Sequence, residues 1–209
     1  MRRGENHKEA VVDSIIELLL SQLGTGGANQ ISEKLGIDEG KAQQVIGMAL
    51  PMLIGALNRN TSSSKSGAEA LTNAIQRDHD GSILDNITQA ITKRETVEDG
   101  SAILGHVFGD NSSGIMDSVS RATNIDSAQV SQIFAMLAPL VLGALGKIQR
   151  NKNLDADGVS SLLQEERKTV EKTSSGLTQL LDMDGDGDVS DEIISLGANL
   201  LGGLFGGKK

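Results

Sequence analysis

Residues 31–57 read ISEKLGIDEGKAQQVIGMALPMLIGAL, and residues 119–145 read VSRATNIDSAQVSQIFAMLAPLVLGAL. The stretches align without a gap at an offset of 88, which brings Ile37 onto Ile125, Asp38 onto Asp126, and Gly55-Ala56-Leu57 onto Gly143-Ala144-Leu145. The only prolines of the chain, Pro51 and Pro139, share one position in this alignment. Such a match points to a copied unit. Asp38 and Asp126 stand where an N-cap belongs, just before each long helical run. The runs 45–57 and 133–145 are apolar around nearly the whole helix circumference. They therefore belong at the centre of a core or at an interface between copies of the chain, so a homo-oligomer is one expectation. An interior proline costs a helix about 3 kcal/mol. Each long helix is thus expected either to kink at its proline or to break there into two packed helices.

Outward from these runs, a second block repeats. Residues 70–87, ALTNAIQRDHDGSILDNI, match 176–193, GLTQLLDMDGDGDVSDEI, at an offset of 106. The larger offset implies an 18-residue insertion, placed in the polar stretch 146–175. A weaker element occurs three times, as LSQLG (20–24), LGHVFG (104–109) and LGGLFG (201–206). Each reads as a short apolar helix ending at a Gly C-cap. In the first helix, Val12, Ile15, Ile16, Leu19, Leu20 and Leu23 fall on one face at helical spacing. No segment sustains strand alternation. The expected fold is all-α: two tandem helical repeat units with kinked central apolar helices. Residues 1–109 form the first unit, and residues 110–209 form the second, which carries an acidic loop.

Composition narrows the function. The 209 residues hold 19 Lys plus Arg against 28 Asp plus Glu, a net charge of −9, which argues against a nucleic-acid surface. There is no Cys, Trp or Tyr, and only three Phe. Disulfides, thiolate metal sites and base stacking are therefore excluded. His7, His79 and His106 lie far apart, so a multi-His zinc site is not expected. The N-terminal stretch carries Asp13 and Glu17 within its apolar run and reads as an amphipathic helix, not a signal peptide. The two apolar runs, at 13 residues each, fall short of the roughly 20 that span a bilayer. The expected compartment is the cytoplasm.

In combination, the LGI/NID turn, the A-x-P-x-L/V and G-A-L pattern of the long helix, the DHDGSILDNI loop and the ILGHVFG segment resemble the bacterial YidB-like family, catalogued as domain of unknown function 937. The resemblance runs from about residue 11 to 195. It implies an all-helical fold and no established activity, and it brings no catalytic residues. This chain departs from short members in having two recognisable units and a richer acidic loop near its C-terminus.

That loop, DMDGDGDVSDEI (182–193), follows the calcium-loop pattern D-x-[DN]-x-[DN]-G-x5-E over its first half. Asp182, Asp184 and Asp186 fill positions 1, 3 and 5, and Gly187 the sharp turn. Asp188 would ligate through its carbonyl, and Ser190 stands at position 9. Position 12 is Ile193, so Asp191 and Glu192 are the acids nearest to the missing bidentate Glu. Six of the eleven residues from Asp182 to Glu192 are carboxylates. Two like charges 4 Å apart repel by about 4 kcal/mol at an effective dielectric of 20, and a Ca2+ ion would relieve that repulsion. The alternative is a solvated acidic turn between helices. The first copy keeps Asp78, Asp80, Gly81 and Asp85 but has Gln76 at position 1. The shared frame is therefore expected to have a structural role of its own.

Other motifs carry less. ISEKLGIDEGKAQQVI resembles a helix-turn-helix, and a nucleic-acid binder is the alternative function. The second helices, however, offer only Lys41, Gln43 and Gln44, or Gln129 and Gln132, to a groove. His106 reads as a core or edge histidine and His79 as solvated. Residues 202–208 fit G-x-x-x-x-G-K, but no strand precedes them and Lys209 replaces Ser/Thr. The tail IISLGANLLGGLFGGKK (193–209) suits peripheral membrane contact or the terminal helix of a repeat equally well. No catalytic spacing emerges. The expectation is a non-enzymatic structural or protein-interaction module with an unidentified partner.

Overall fold

The structure, a computed structural model, describes residues 14–173. Among these residues eight α-helices follow one another: α1 Ile15–Leu35, α2 Glu39–Ser62, α3 Lys65–Asp78, α4 Ile87–Ala90, α5 Arg94–Phe108, α6 Ser112–Thr123, α7 Ser127–Lys152 and α8 Ala156–Thr173. Short 3-10 turns cover Ser82–Asn86 and Gly109–Asn111. There is no strand among the described residues, and the protein is all-α.

The copied sequence produces a copied joint. At the end of α1, Gly36 is left-handed (φ 65°), and its N–H and that of Ile37 (3.1 Å) both reach the Ser32 carbonyl. At the end of α6, Asn124 is left-handed (φ 53°), and its N–H and that of Ile125 (3.3 Å) reach Ser120. These bonds satisfy carbonyls that a helix end otherwise leaves open. One residue after each aliphatic step, the Asp caps the next helix. Asp38 Oδ1 accepts from the Lys41 N–H at 3.1 Å, and Asp126 Oδ1 from the Ala128 N–H at 2.8 Å.

The same joint occurs a third time. Asn153 is left-handed (φ 52°), the Leu154 N–H reaches the Gln149 carbonyl at 2.9 Å, and Asp155 Oδ1 accepts from the Gly158 N–H at 2.9 Å. IQRNKNLD (148–155) thus aligns with ISEKLGID (31–38). The polar stretch read as a simple insertion holds this third joint and the start of α8.

Two local expectations fail. α1 does not stop at Gly24 but continues to Leu35. Its second half buries Ala28 and Ile31 in the core, and that burial outweighs the roughly 1 kcal/mol that an interior Gly costs. Leu20 is 52 % exposed, off the face that buries Ile15, Leu19 and Leu23. Val12 lies outside the described residues.

Both long helices run unbroken through their prolines, so the break into two packed helices does not occur. α7 is the centre: every residue from Ile133 to Gly146 is buried. At 26 residues and a mean hydropathy of 1.7 over its most apolar window, it is long and apolar enough to cross a membrane. Here other helices of the chain cover it. One core joins Ile15 of α1, Leu50 of α2, Leu140 of α7 and Leu163 of α8, so helices of both copies contribute to it. α5 lies against α7 at Gly100, where a Cβ would run into the Ala135 carbonyl. Phe108 meets Phe134 edge-on, with centroids 6.1 Å apart.

Candidate functional site

The first acidic loop is the copy that the structure describes. Asp80 Oδ1 accepts from the Ser82 N–H at 3.0 Å, and Asp80 Oδ2 lies 3.4 Å from Arg150 Nη1 on α7. The Ser82 hydroxyl and backbone N–H, with Arg150 adding to them, hold the Asp80 carboxyl below the usual carboxylate range. Asp78 is paired with Arg77 at 2.6 Å, which lowers its carboxyl in the same sense.

Gly81 (φ 92°) sits directly on α7: a Cβ there would lie 2.9 Å from Lys147 Cβ and 3.0 Å from the Gly143 carbonyl oxygen. A Cβ on Gly143 would in turn lie 2.5 Å from Ile83 Cγ2, and one on Gly146 would run into the His79 carbonyl. The Asp-Gly frame is therefore a seat. Two glycines on α7 accept the loop backbone, and its Asp is tied to Arg150. Among the described residues, no group of three or more Asp, Glu or His side chains is placed to hold a metal ion. The proposed ligands Asp182, Asp184, Asp186, Asp188, Ser190, Asp191 and Glu192 lie outside the described residues, as does the tail 193–209.

A second arrangement joins the two copies. Lys41 Nζ, at the start of α2, donates to the Asn124 carbonyl at 3.0 Å. Gln129 Nε2, at the equivalent position of α7, donates to the Leu35 carbonyl at 2.9 Å. Each long helix thus caps the joint that precedes the other, the reciprocal pattern of a two-fold interface. These are two of the side chains that a helix-turn-helix would offer to a DNA groove. Here they are engaged with backbone.

Other helix ends are closed by distant side chains in the same way. Lys34 Nζ donates to the Ile91 and Thr92 carbonyls at 3.0 and 2.9 Å. Asn60 Nδ2 donates to the Val107 carbonyl at 3.2 Å, at the end of α5. At the start of α1, Glu166 of α8 accepts from the Ile15 N–H at 2.8 Å and from the Ser14 hydroxyl at 3.1 Å. Glu166 is only 4 % exposed. Burial pushes its carboxyl above the usual range, against the lowering effect of these hydrogen bonds.

The histidines need correction. His106 is exposed. His79 is not solvated: its side chain is 10 % exposed, with Nδ1 4.0 Å from Asp99 Oδ2. The loop backbone folds down onto Gly146 and carries the ring inward with it.

Sequence reading missed Glu166, Arg150 and the Lys41–Gln129 exchange. The available signals were the equivalence of positions 41 and 129 and the third joint, which places a helix after Asp155. A lone Glu within QEERK gives no sign of burial.

No curated protein and no solved structure matches the chain. A family model does match, twice, over residues 17–148 and 148–209, and its description is "Bacterial protein of unknown function (DUF937)". The second match begins at Ile148, the first residue of the third joint's alignment. With nearly the whole chain covered, the protein belongs to the DUF937 family of bacterial proteins of unknown function.

Proposed function

We propose that this protein is a non-enzymatic helical scaffold, a structural or protein-interaction module with one calcium-type loop at 182–192. The observation that carries the reading is how its polar groups are used. Lys34, Lys41, Asn60, Gln129, Arg150 and Glu166 are spent on the chain's own helix ends and loop. Groups committed in this way build joints, whereas catalysis needs a base and an acceptor free to meet a substrate. The net charge of −9 and the engagement of Lys41 and Gln129 weigh against duplex DNA as a ligand.

The calcium part rests on spacing. The first copy lacks an acid at Gln76 and works as a seat. The second adds Asp182, Asp188 and Glu192 to the same frame, where the first has Gln76, Ser82 and Asn86, and packing alone has no use for those extra carboxylates. Calorimetry with Ca2+ on the full chain and on Asp184→Ala tests this. Saturable heat in the wild type that is lost in the variant supports the site, and equal heats in both remove it. For the module reading, a salt-dependent mobility shift with duplex DNA at low ionic strength would replace it with the nucleic-acid alternative.

A further inference from the structure

We propose that residues 176–206 dock on the face of α2 marked by Gly47, Pro51 and Gly55, as residues 70–109 dock on α7. This goes beyond the module reading and does not depend on calcium.

The two long helices correspond residue for residue at an offset of 88, yet they are covered differently. On α7, Ala135, Met136, Pro139 and Gly143 are all buried. Gly100 of α5 covers Ala135, and Gly81 and Ile83 of the acidic loop cover Gly143. On α2, the matching residues are Gly47, Met48, Pro51 and Gly55. Gly47 is exposed, and the other three are half-buried. A Cβ on Gly47 or Gly55 meets nothing within 4 Å. An apolar strip of two glycines, a methionine and a proline has no evident purpose on a solvated face, and two interior glycines there only weaken the helix.

The chain carries a second copy of the covering arm, and it lies in the 174–209 stretch outside the described residues. Gly187 and Val189 repeat Gly81 and Ile83. GANLLGGLFG (197–206) repeats GSAILGHVFG (100–109), with Gly197 matching Gly100 and Phe205 matching Phe108. The contacts of Gly81, Ile83, Gly100 and Phe108 on α7 thus have sequence counterparts for α2, whereas that of the His79 carbonyl on Gly146 does not, because Asn58 stands at the matching position of α2. The second arm has three residues between Ile193 and Gly197, where the first has twelve between Ile87 and Gly100. It therefore omits the counterpart of α4 and the first turn of α5. Neither omitted stretch holds one of the four contact residues.

The chain has no cysteine, so a cross-link can be placed without background. The Gly143–Ile83 contact translates to Gly55 and Val189. In the full-length Gly55→Cys/Val189→Cys variant, mild oxidation in chelator is expected to give an intramolecular disulfide in a monomer, read by non-reducing electrophoresis and peptide mapping. The Gly114→Cys/Val189→Cys pair, with Gly114 exposed on α6, is expected to give none. A disulfide-linked dimer joined through position 55 would assign the α2 face to a second copy and overturn the proposal. Absence of any disulfide would overturn it as well. A second readout is the melting temperature of full-length Gly47→Ala and Gly55→Ala. A covered face predicts a fall of about 2–4 °C for each. A bare face predicts a rise, since Ala is the better helix former, and a rise refutes docking.

Discussion

Replacing Gly81 by Ala tests whether the Asp-Gly frame is a seat. Two costs add. Alanine at φ 92° pays roughly 1–2 kcal/mol for a left-handed conformation. Its Cβ would also lie 2.9 Å from Lys147 Cβ and 3.0 Å from the Gly143 carbonyl, well inside the roughly 3.5–4.0 Å of a comfortable contact. Neither can turn aside: the position of Lys147 Cβ is set by its backbone, with Cα at 3.3 Å behind it, and the Gly143 carbonyl belongs to the buried backbone of α7. Overpacking of this kind costs about 1–3 kcal/mol, for a total of about 2–5 kcal/mol. Gly36→Ala is the control, because Gly36 is also left-handed (φ 65°) but has no atom within 4 Å of its Cβ position. It should lose only the conformational part, about 1–2 kcal/mol. With neither Trp nor Tyr, the assay is urea and thermal unfolding followed by far-ultraviolet circular dichroism. At about 2–4 °C per kcal/mol for a chain of this size, the two variants should separate clearly. If Gly81→Ala proves no more destabilising than Gly36→Ala, the loop is not seated on α7 and the packing argument fails.

Burial raises the Glu166 carboxyl above its ordinary value. The folded state therefore holds the proton more tightly than the unfolded chain. The associated stability is fully present below the ordinary carboxylate pKa and is lost as pH rises through the raised folded value. Glu166→Gln keeps an acceptor for the Ile15 N–H and does not ionise, so its stability relative to wild type should climb across that window and level off above it. Glu166→Ala leaves the Ile15 N–H unpartnered and should lose about 1–3 kcal/mol at neutral pH by urea titration. Gln129→Ala opens the Leu35 carbonyl and should cost about 1 kcal/mol. A double-mutant cycle with Lys41→Ala tests whether the two joints act together, and strict additivity would show that they do not. Asn153→Gly should stabilise by a few tenths of a kcal/mol to about 1, since Gly accepts φ 52° without strain; a lower melting temperature would contradict the assigned joint.

The elements and their caps were legible in the sequence because they are local. Asp38 and Asp126 cap within three residues, and the left-handed Gly36 and Asn124 stand next to an aliphatic residue in both copies. The third joint was hidden by composition. Its glycine is replaced by Asn153 and its isoleucine by Leu154, inside a stretch whose charge reads as loop. The extent of α1 was misread because a Gly-Thr-Gly-Gly run locally favours a stop, while the evidence against a stop is the tertiary burial of Ala28 and Ile31. At the site, the frame of the first loop was readable as structural, but its seat was not. Arg150 lies seventy residues from Asp80, and Glu166 reaches a helix end 151 residues away. Pairings at that separation leave no periodicity for a single sequence to display.

The exchange between Lys41 and Gln129 makes each half of the duplication incomplete without the other. Each copy finishes the other's turn. A change at residue 41 is judged at residue 124, and one at 129 is judged at residue 35. A chain severed between residues 109 and 110 would expose an uncapped turn on both fragments. Two units alike in sequence are thus mutual dependants in structure.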